Sequence, residues 1–323
     1  MRKILGHYKN GNYTVSIFND GTKIRHNKLD YFEPDTVESM DIKITNKCGG
    51  NEILKQGVTK SYSNLSCKFC HEGSSPFGKH GDILNVPFLE KLHPYCELAI
   101  GGGNPLQHPD LDEFLIKCRE RKHIANMTVN QRHFLYEYDR VKDLCNQRLI
   151  WGLGVSLTEP NTDLIEKVKQ IPNAVIHIIN GIVTEDNLLK LKDNNLKILI
   201  LGYKEVRRGQ KLYEKAQHII EERKQKLKEL LPKMIKEGWF NVISFDNLAI
   251  KQLGVKDLMS EDEWNRFYMG DDGQDGQQTS ATYFVDLVER KFAKNSCATE
   301  EERYPLLDTA EDMFSHLLKN KEN

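Results

Sequence analysis

The sequence of 323 residues predicts an α/β protein. We expect a partial, TIM-like (β/α)6 barrel of parallel strands, with an N-terminal β-hairpin before it and a C-terminal α+β extension after it. From Met40 onward, short aliphatic and β-branched runs alternate with segments whose apolar residues recur every three or four positions. Repeated strand–helix units of this kind make parallel strands with right-handed crossovers. Glycines and polar residues also stand where the predicted strands end, as they do at the mouth of a barrel.

Each element follows from its local pattern. Turn residues at Gly11 and Asn19–Gly21 predict a hairpin within residues 1–30, which we expect to protect a sheet edge or cover one barrel end. The predicted barrel strands are 40–47, 97–101, 125–130, 150–157, 173–180 and 195–202. The predicted helices are 86–92, 111–121, 138–145, 162–170, 186–192 and a long basic helix at 204–237. The extension comprises a strand within 239–250, a helix at 260–269, a turn-rich connection at 269–276, a hairpin at 283–293 and a helix at 308–318. We therefore expect three domains: 1–36, 37–238 and 239–323.

The composition argues against several classes of protein. A net charge of −1 gives no overall attraction to nucleic acids or to membranes, and no apolar run approaches the ~20 residues of a membrane span. The seven cysteines follow no paired spacing, so we expect free thiols in a reducing compartment and a cytoplasmic location.

Three cysteines dominate the most informative stretch of the chain. The strand at 40–47 delivers Cys48 to a loop that ends in Cys67-Lys68-Phe69-Cys70. Two thiols three positions apart can converge on one metal centre. Three thiolates at the end of a strand suit an iron–sulfur cluster that keeps one iron open. The next strand then runs into Gly101-Gly102-Gly103-Asn104-Pro105, a turn with exposed backbone.

This ordered pair of motifs resembles the radical S-adenosylmethionine (radical SAM) superfamily. There, a strand feeds a Cys-x3-Cys-x2-Cys loop with an aromatic residue before the last cysteine, and a Gly-Gly-Glu-Pro-like turn follows. The resemblance covers about half of the chain and departs from the pattern twice. Eighteen residues (49–66) separate Cys48 from Cys67 where the family has three, and Asn104 replaces the usual glutamate. The insert is polar and turn-rich, so its ends can lie close together at little cost in loop entropy.

The resemblance implies a set of site residues and cofactors. It implies a 4Fe-4S cluster on Cys48, Cys67 and Cys70, with S-adenosylmethionine bound to the open iron. It assigns the cofactor contacts as follows: Phe69 beside the adenine; Gly102, Gly103, Asn104 and Pro105 at the methionine moiety; Ser156 and Asn180 at the ribose; and the backbone around Tyr203 at the adenine. Reductive cleavage would yield a 5′-deoxyadenosyl radical that abstracts hydrogen from a substrate, with a flavodoxin- or ferredoxin-like electron donor.

The substrate stays open at this point. A peptide or protein side chain is our first hypothesis, because the β elements at both ends of the chain offer sheet edges to an extended peptide. A small molecule is also compatible. A nucleotide or RNA base is the competing substrate, since 204–237 holds eleven Lys or Arg against six Asp or Glu.

A different class of protein uses the same residues. Cys48, Cys67 and Cys70 with His71 or His80 have the ligand chemistry of a zinc site, in a non-catalytic module whose basic helix meets nucleic acid. A closed zinc site leaves the glycine-rich turn at the neighbouring strand unexplained. Ser156 and Asn180 are alternatively loop caps, and His177, within a strand, is expected to be a core histidine with satisfied hydrogen bonds.

Overall fold

The structure is a computed structural model that describes residues 2–29, 31–53, 59–62, 67–268 and 281–319. The predicted connection at 269–276 and parts of the insert at 49–66 lie outside the described residues.

The strands form a small N-terminal sheet, a hairpin and one large sheet. In chain order they are β1 (Ile4–Asn10), β2 (Tyr13–Phe18), β3 (Lys23–His26), β4 (Ser39–Thr45), β5 (Gly50–Ile53), β6 (Thr59–Tyr62), β7 (Glu97–Gly102), β8 (Ile124–Asn130), β9 (Gly152–Ser156), β10 (Ala174–Ile179), β11 (Lys197–Leu201), β12 (Val242–Phe245), β13 (Thr282–Asp286), β14 (Lys291–Ala293) and β15 (Tyr304–Pro305).

The helices lie mostly between the strands of the large sheet. They are α1 (Pro87–Lys91), α2 (Leu111–Glu120), α3 (Gln131–Tyr136), α4 (Tyr138–Asn146), α5 (Thr162–Lys169), α6 (Glu185–Leu191), α7 (Arg208–Lys236), α8 (Asn247–Leu253), α9 (Glu261–Phe267) and α10 (Ala310–Lys319). Several begin at side-chain caps: Asn161 accepts from the Leu164 amide at α5, and Thr184 forms a capping box at α6. No helix of the described residues is long and apolar enough to cross a membrane.

The large sheet has ten strands in the order β12-β11-β10-β9-β8-β7-β4-β13-β14-β15. All six predicted barrel strands are present and parallel to their neighbours. The sequence prediction undercounts the parallel strands, because β12 and β13 also run parallel to β11 and β4. Within the predicted hairpin β13 pairs with β14 as expected. β13 also pairs with β4, which lies more than 200 residues earlier in the chain, and no local sequence pattern predicts that pairing.

The N-terminal element is a three-stranded antiparallel sheet rather than a two-stranded hairpin. β3 pairs with β2, with Thr14 opposite His26 and Ile17 opposite Lys23. The turn between them, residues 18–21, lines a cavity of about 410 Å³ together with residues at the amino ends of the large sheet, among them Glu97 and Asn126. As expected, this sheet lies against one end of the main body.

Successive side chains along each strand of the large sheet point to opposite faces of the sheet. One face is buried against helices and holds the apolar core, which includes Ile42, Leu98 and Ile176. The opposite face, here called the inner face, carries Asp41 on β4, Asn126 and Asn130 on β8, Gly152, Gly154 and Ser156 on β9, and Val175 and His177 on β10. Asp41 is exposed although β4 has a neighbour on each side, so solvent reaches the inner face.

The C-terminal part of the chain belongs to the same sheet. β12 and β13 to β15 extend its two sides, and Lys43 on β4 bonds Asp286 on β13 at 2.9 Å. The three domain boundaries stay predictions.

Candidate functional site

Beyond β4 the chain carries Cys48 alongside residues 75–79, and Lys47 forms an isolated β-bridge with Ser75. The Cys48 amide donates to the Ser75 carbonyl at 2.8 Å, and the Asn46 amide donates to Lys79 at 3.0 Å. The Ser75 amide in turn donates to Asn46 at 3.0 Å. Backbone hydrogen bonds therefore join the segment that follows the Cys67–Cys70 turn to the segment that bears Cys48.

The described part of the insert is an antiparallel hairpin of β5 and β6, with Gly50 opposite Tyr62. The chain leaves Cys48 and comes back beside it, as the sequence predicts. Gln107, which is fully buried, fixes the start of this excursion. Its side chain accepts from the Gly49 amide at 2.8 Å and donates to the Gly49 carbonyl at 3.0 Å. The sequence reasoning missed Gln107, because nothing local to it indicates a partner at position 49.

Cys67 and Cys70 lie at the two ends of a tight turn. The Cys70 amide donates to the Cys67 carbonyl at 3.2 Å. Burial and the neighbouring thiols of Cys67 and Cys70 together raise the pKa of Cys48 to about 12, although the charge of Arg208 lowers it. The hydrogen bond from the Cys48 amide to the Ser75 carbonyl places Cys48 beside the loop that follows Cys67 and Cys70. All three are free and half-buried.

Two arginines at the start of α7 hold the cysteine loop. Arg207 donates to the His71 carbonyl at 2.8 Å. Arg208 donates to the carbonyls of Cys67 at 3.1 Å and Ser74 at 2.8 Å. Arg207 has a φ of 50°, a conformation that non-glycine residues rarely adopt. The sequence reasoning missed both residues and read them only as part of a basic helix.

The glycine-rich turn after β7 lies against the same stretch of chain. The Gly103 amide donates to Thr45 at 2.7 Å, and the Asn104 amide donates to Lys47 at 2.8 Å. Gly102 has a φ of 106°, and a Cβ there would lie 2.3 Å from the Thr45 carbonyl oxygen. A Cβ at Gly103 would lie 2.1 Å from the Lys47 oxygen. These two glycines are thus required by the close approach of two backbones, while Gly101 faces open space.

Asn104 is fully buried, yet both polar atoms of its side chain lack a hydrogen-bond partner among the described residues. An unsatisfied buried amide costs roughly 1–3 kcal/mol. Asn104 follows the strand that pairs with β4, and a polar ligand bound beside its side chain would satisfy these buried groups. Pro105 follows it and begins a short 3-10 helix, Pro105–Gln107.

A row of polar side chains crosses the carboxyl ends of β8, β9 and β10. The Asn130 amide group lies 3.9 Å from the sulfur of Cys67. Asn130 is opposite Ser156, and Ser156 is opposite His177. The ring of His177 occupies the space above Gly154, and its Nδ1 has no hydrogen-bond partner among the described residues. Contrary to expectation, His177 is not a satisfied core histidine; burial lowers its pKa to about 4 and keeps it neutral at pH 7.

Asn180 and Tyr203 meet through a residue that the sequence reasoning missed. Gln252 accepts from the Asn180 side chain at 3.2 Å and from the Tyr203 amide at 2.8 Å, and it donates to the Tyr203 carbonyl. The Tyr203 hydroxyl donates to Gly209 at 2.7 Å, so its side chain points to α7. The hydroxyl, the backbone amide and the backbone carbonyl of Tyr203 are therefore all hydrogen-bonded within the protein. Asn180 is fully buried and keeps an unpartnered Oδ1.

A buried charge cluster lies beside the cysteine loop. Lys43 contacts Asp286 at 2.9 Å and Glu72 at 3.3 Å. Burial raises the pKa of Glu72, but the hydrogen bond with His71 and the charges of Lys43 and Arg207 outweigh it and bring the pKa to about 2. Glu72 is therefore ionised at neutral pH.

The ligand geometry bears on which metal centre the thiols suit. Among the described residues, no group of three or more His, Cys, Asp or Glu side chains converges on a position for a metal ion. The imidazoles are engaged elsewhere: His71 with Glu72 at 3.1 Å, and His80 with Glu52 at 3.2 Å. A four-iron cluster needs a wider thiol set than zinc, because each thiolate ligates a different iron atom.

Solved structures with a similar fold are known. No family model matches the sequence, and no curated protein matches it. The structure is similar to SuiB of Streptococcus suis, a radical SAM enzyme, in its crystal structure bound to precursor peptide SuiA. The TM-score is 0.57 at 12% identity, over 90% of this chain and 82% of SuiB. The chain therefore shares the fold of SuiB.

Two further SuiB structures support the radical SAM fold. SuiB bound to S-adenosylmethionine matches with a TM-score of 0.55, and SuiB without a named ligand matches with 0.52. Both share 12% identity with this chain and cover 90% of it, and the chain covers 80% and 81% of them. The resemblance inferred from Cys48, Cys67, Cys70 and the glycine-rich turn is thereby confirmed at the level of the fold.

Proposed function

We propose that this protein is a radical SAM enzyme that holds a 4Fe-4S cluster, cleaves S-adenosylmethionine reductively and acts on a peptide or protein side chain. One observation carries the proposal. The side chain of Asn104 is buried without a hydrogen-bond partner among the described residues. Its backbone amide donates at 2.8 Å to the carbonyl of Lys47, the residue before Cys48. The two motifs therefore share one edge of a sheet whose fold is that of radical SAM enzymes.

The residues of the site would divide the task. Cys48, Cys67 and Cys70 would hold the cluster, and Asn104 would accept a hydrogen bond from the ammonium of S-adenosylmethionine. When bound, these cofactors would supply the radical chemistry that removes hydrogen from the substrate, while the protein would orient the substrate and exclude water.

The remaining contacts follow from position. Gly102, Gly103 and Pro105 would shape the methionine site, and Ser156 and Asn180 would meet the ribose. Phe69 and the Tyr203 backbone would border the adenine. We further propose that the large sheet curves into a partial barrel whose concave side is the inner face.

A peptide substrate is supported by two facts. SuiB, with the same fold, was crystallised with a precursor peptide. The described strands also leave sheet edges at β12, β15 and the β5–β6 hairpin, to which an extended peptide can add. The RNA alternative loses weight because several α7 cations are already engaged: Arg207 and Arg208 by carbonyls, and Lys224 by Glu221 at 2.8 Å. The free state of all seven cysteines favours the reducing cytoplasm.

Anaerobic reconstitution tests the cluster. We expect the wild-type chain to bind about four iron and four sulfide per chain and, with dithionite, to release 5′-deoxyadenosine from S-adenosylmethionine. Cys48→Ala, Cys67→Ala and Cys70→Ala should each abolish that release. Cys145→Ala, at a lone half-buried thiol on α4, is the matched control and should behave as wild type. A colourless protein that binds zinc instead would refute the proposal.

Mass spectrometry tests the substrate class. The reconstituted protein is incubated with synthetic peptides encoded beside its gene and, separately, with small RNAs. We expect a mass change in a peptide that depends on S-adenosylmethionine. A change confined to RNA would rule out the peptide.

A further inference from the structure

Asp41 is a carboxylate on the inner face that the fold leaves without a partner. Its neighbours along β4, Met40 and Ile42, are buried in the core. The side chain of Asp41 points to the opposite face and is exposed. Among the described residues it forms neither a hydrogen bond nor an ion pair. The strand therefore carries a charged group that contributes no contact to the fold.

Solvent reaches Asp41, yet protein surrounds it. β4 is an interior strand of the large sheet, with Ala99 of β7 opposite Asp41 on one side and Phe284 of β13 opposite it on the other. Burial raises the pKa of Asp41. A side chain that is open to solvent, but that protein surrounds closely enough to shift its pKa, lies in a cleft and not on an outer surface.

The charged groups that face Asp41 leave its negative charge unbalanced. Glu72 and Asp246 raise its pKa in addition to burial, and the cation Lys204 opposes them without cancelling the shift. The Lys204 ammonium is bonded elsewhere, because it donates to the Ser296 hydroxyl at 3.0 Å. Carboxylates therefore outnumber cations around the cleft.

The lysine of the same strand is also engaged. Lys43 follows Asp41 by two residues and so lies on the same face of β4. It contacts Asp286 at 2.9 Å and Glu72 at 3.3 Å. A desolvated carboxylate without a partner costs free energy, and a cation placed beside it offsets that cost.

The wall beside Asp41 leaves room for such a cation. Ala99 lies opposite Asp41 on β7, and Gly101 is the next inner-face residue of that strand. A Cβ at Gly101 would meet no atom within 4 Å. On the strands beyond, the residues in register with Ala99 are Asn126 and Gly152. The wall is therefore made of small or neutral residues, with open space at Gly101.

We propose that Asp41 determines substrate specificity by binding a positively charged side chain, of lysine or arginine, in the substrate. This rests on the proposed function, in which the substrate is a peptide or protein side chain. A carboxylate accepts charge-assisted hydrogen bonds from an ammonium or a guanidinium group, and these bonds are stronger inside a cleft than in bulk water. Asp41 lies four residues before the end of β4, about 13 Å along the strand, so it is set back from Cys48.

Anionic substrates fit this cleft poorly. The phosphates of a nucleotide or of RNA would meet the carboxylates of Asp41, Glu72 and Asp246 without a free cation to balance them. The same cleft that attracts lysine or arginine therefore disfavours the competing substrate class.

A pool of defined peptides tests the proposal. The probes are capped heptapeptides, Gly-Ala-Gly-X-Gly-Ala-Gly, in which X is Lys, Arg, Gln, Met or Glu. The pool is dialysed to equilibrium against the reconstituted protein with S-adenosylmethionine, and mass spectrometry quantifies how much of each peptide is bound. We expect wild type to bind the Lys or the Arg peptide about tenfold more tightly than the Gln and Met peptides. Asp41→Asn should reduce that ratio to about twofold or less, and Asp41→Lys should favour the Glu peptide.

Protein stability gives a second readout that needs neither cluster nor peptide. Because an amide carries no desolvated charge, Asp41→Asn should leave the urea midpoint of the cluster-free chain unchanged or higher. Asp139→Asn is the matched control, since Asp139 is an exposed carboxylate on α4. This control should keep the peptide selectivity of wild type.

The specificity proposal is overturned if wild type shows no preference for the Lys or the Arg peptide, or if Asp41→Asn keeps that preference. A markedly lower urea midpoint in Asp41→Asn would show that the carboxylate serves the fold, and this too overturns the proposal. Loss of S-adenosylmethionine binding in Asp41→Asn would assign the carboxylate to the cofactor, with the same consequence. Failure of wild type to cleave S-adenosylmethionine with dithionite is a different result, which contradicts the proposed function itself.

Discussion

Asn104 and Asn10 are both fully buried, but their side chains differ in one respect. The Asn10 amide group donates to Tyr13 and Thr36, and its oxygen accepts from two backbone amides. Asn104 has no such partners among the described residues. This contrast separates an asparagine that serves the fold from one that is available to a ligand.

We expect Asn104→Leu to leave the free energy of unfolding of the cluster-free chain unchanged or higher, because it removes unsatisfied buried groups. The same variant should lose S-adenosylmethionine binding in equilibrium dialysis of the reconstituted protein. Asn10→Leu should lower the free energy of unfolding, measured in urea, by more than about 1 kcal/mol, because it removes hydrogen bonds to four groups. A marked loss of stability in Asn104→Leu would contradict this reading.

The glycines of the turn make a second residue-level prediction. Gly102→Ala should destabilise the chain by about 1–3 kcal/mol, from its positive φ and from its contact with the Thr45 oxygen. Gly101→Ala is the control, because its Cβ would meet no atom within 4 Å. Urea midpoints of the two variants give the measurement. Equal midpoints would mean that the turn relaxes around the added methyl group.

At the scale of elements, the N-terminal sheet is joined to the main sheet by a buried ion pair. Arg25 on β3 bonds both carboxylate oxygens of Glu38, the residue before β4, at 2.9 Å each, and the Tyr13 hydroxyl donates to the same carboxylate at 2.6 Å. Burial raises the pKa of Glu38, but these bonds and the nearby charges hold it below its usual value.

Arg25→Met should therefore cost about 3–5 kcal/mol, because it leaves the Glu38 charge buried with too few partners. Arg2→Met breaks the exposed Arg2–Asp20 pair of the same small sheet and should leave the free energy of unfolding close to that of wild type. Urea unfolding measures both. Limited proteolysis should also show cleavage within residues 2–29 of Arg25→Met alone; intact N-terminal residues in that variant would show that other contacts suffice.

At the scale of the whole molecule, buried histidines make stability depend on pH. Burial lowers the pKa of His108, His123, His133 and His177 to about 4 each, against about 6.5 in the unfolded chain. Between these values the unfolded chain binds more protons than the folded chain. Stability should therefore fall as the pH drops from about 6.5 to about 4.

The urea midpoint of the cluster-free chain at pH 7 and at pH 5 checks this. We expect a clearly lower midpoint at pH 5, and a smaller difference in His123→Gln, which removes one of the four groups. Equal midpoints at the two pH values would show that these rings protonate in the folded chain.

Strand positions were predictable because buried parallel strands are read from local apolar runs such as those at 97–101 and 195–202. The partners were harder to predict. Three contacts join residues far apart in sequence: the pairing of β13 with β4, the hydrogen bond between Gln107 and Gly49, and the hydrogen bond from Arg208 to the Cys67 carbonyl. No periodicity encodes such contacts.

The sequence by itself determined the repeated strand–helix order and the two motifs, Cys48 to Cys70 and Gly101 to Pro105, because these depend on residue type and local spacing. Only the tertiary structure decided that the motifs meet, that the long insert closes on itself and that Asn104 is left without a partner. The physical reason is that burial and hydrogen-bond satisfaction depend on neighbours brought together by the whole fold, which local propensity does not specify.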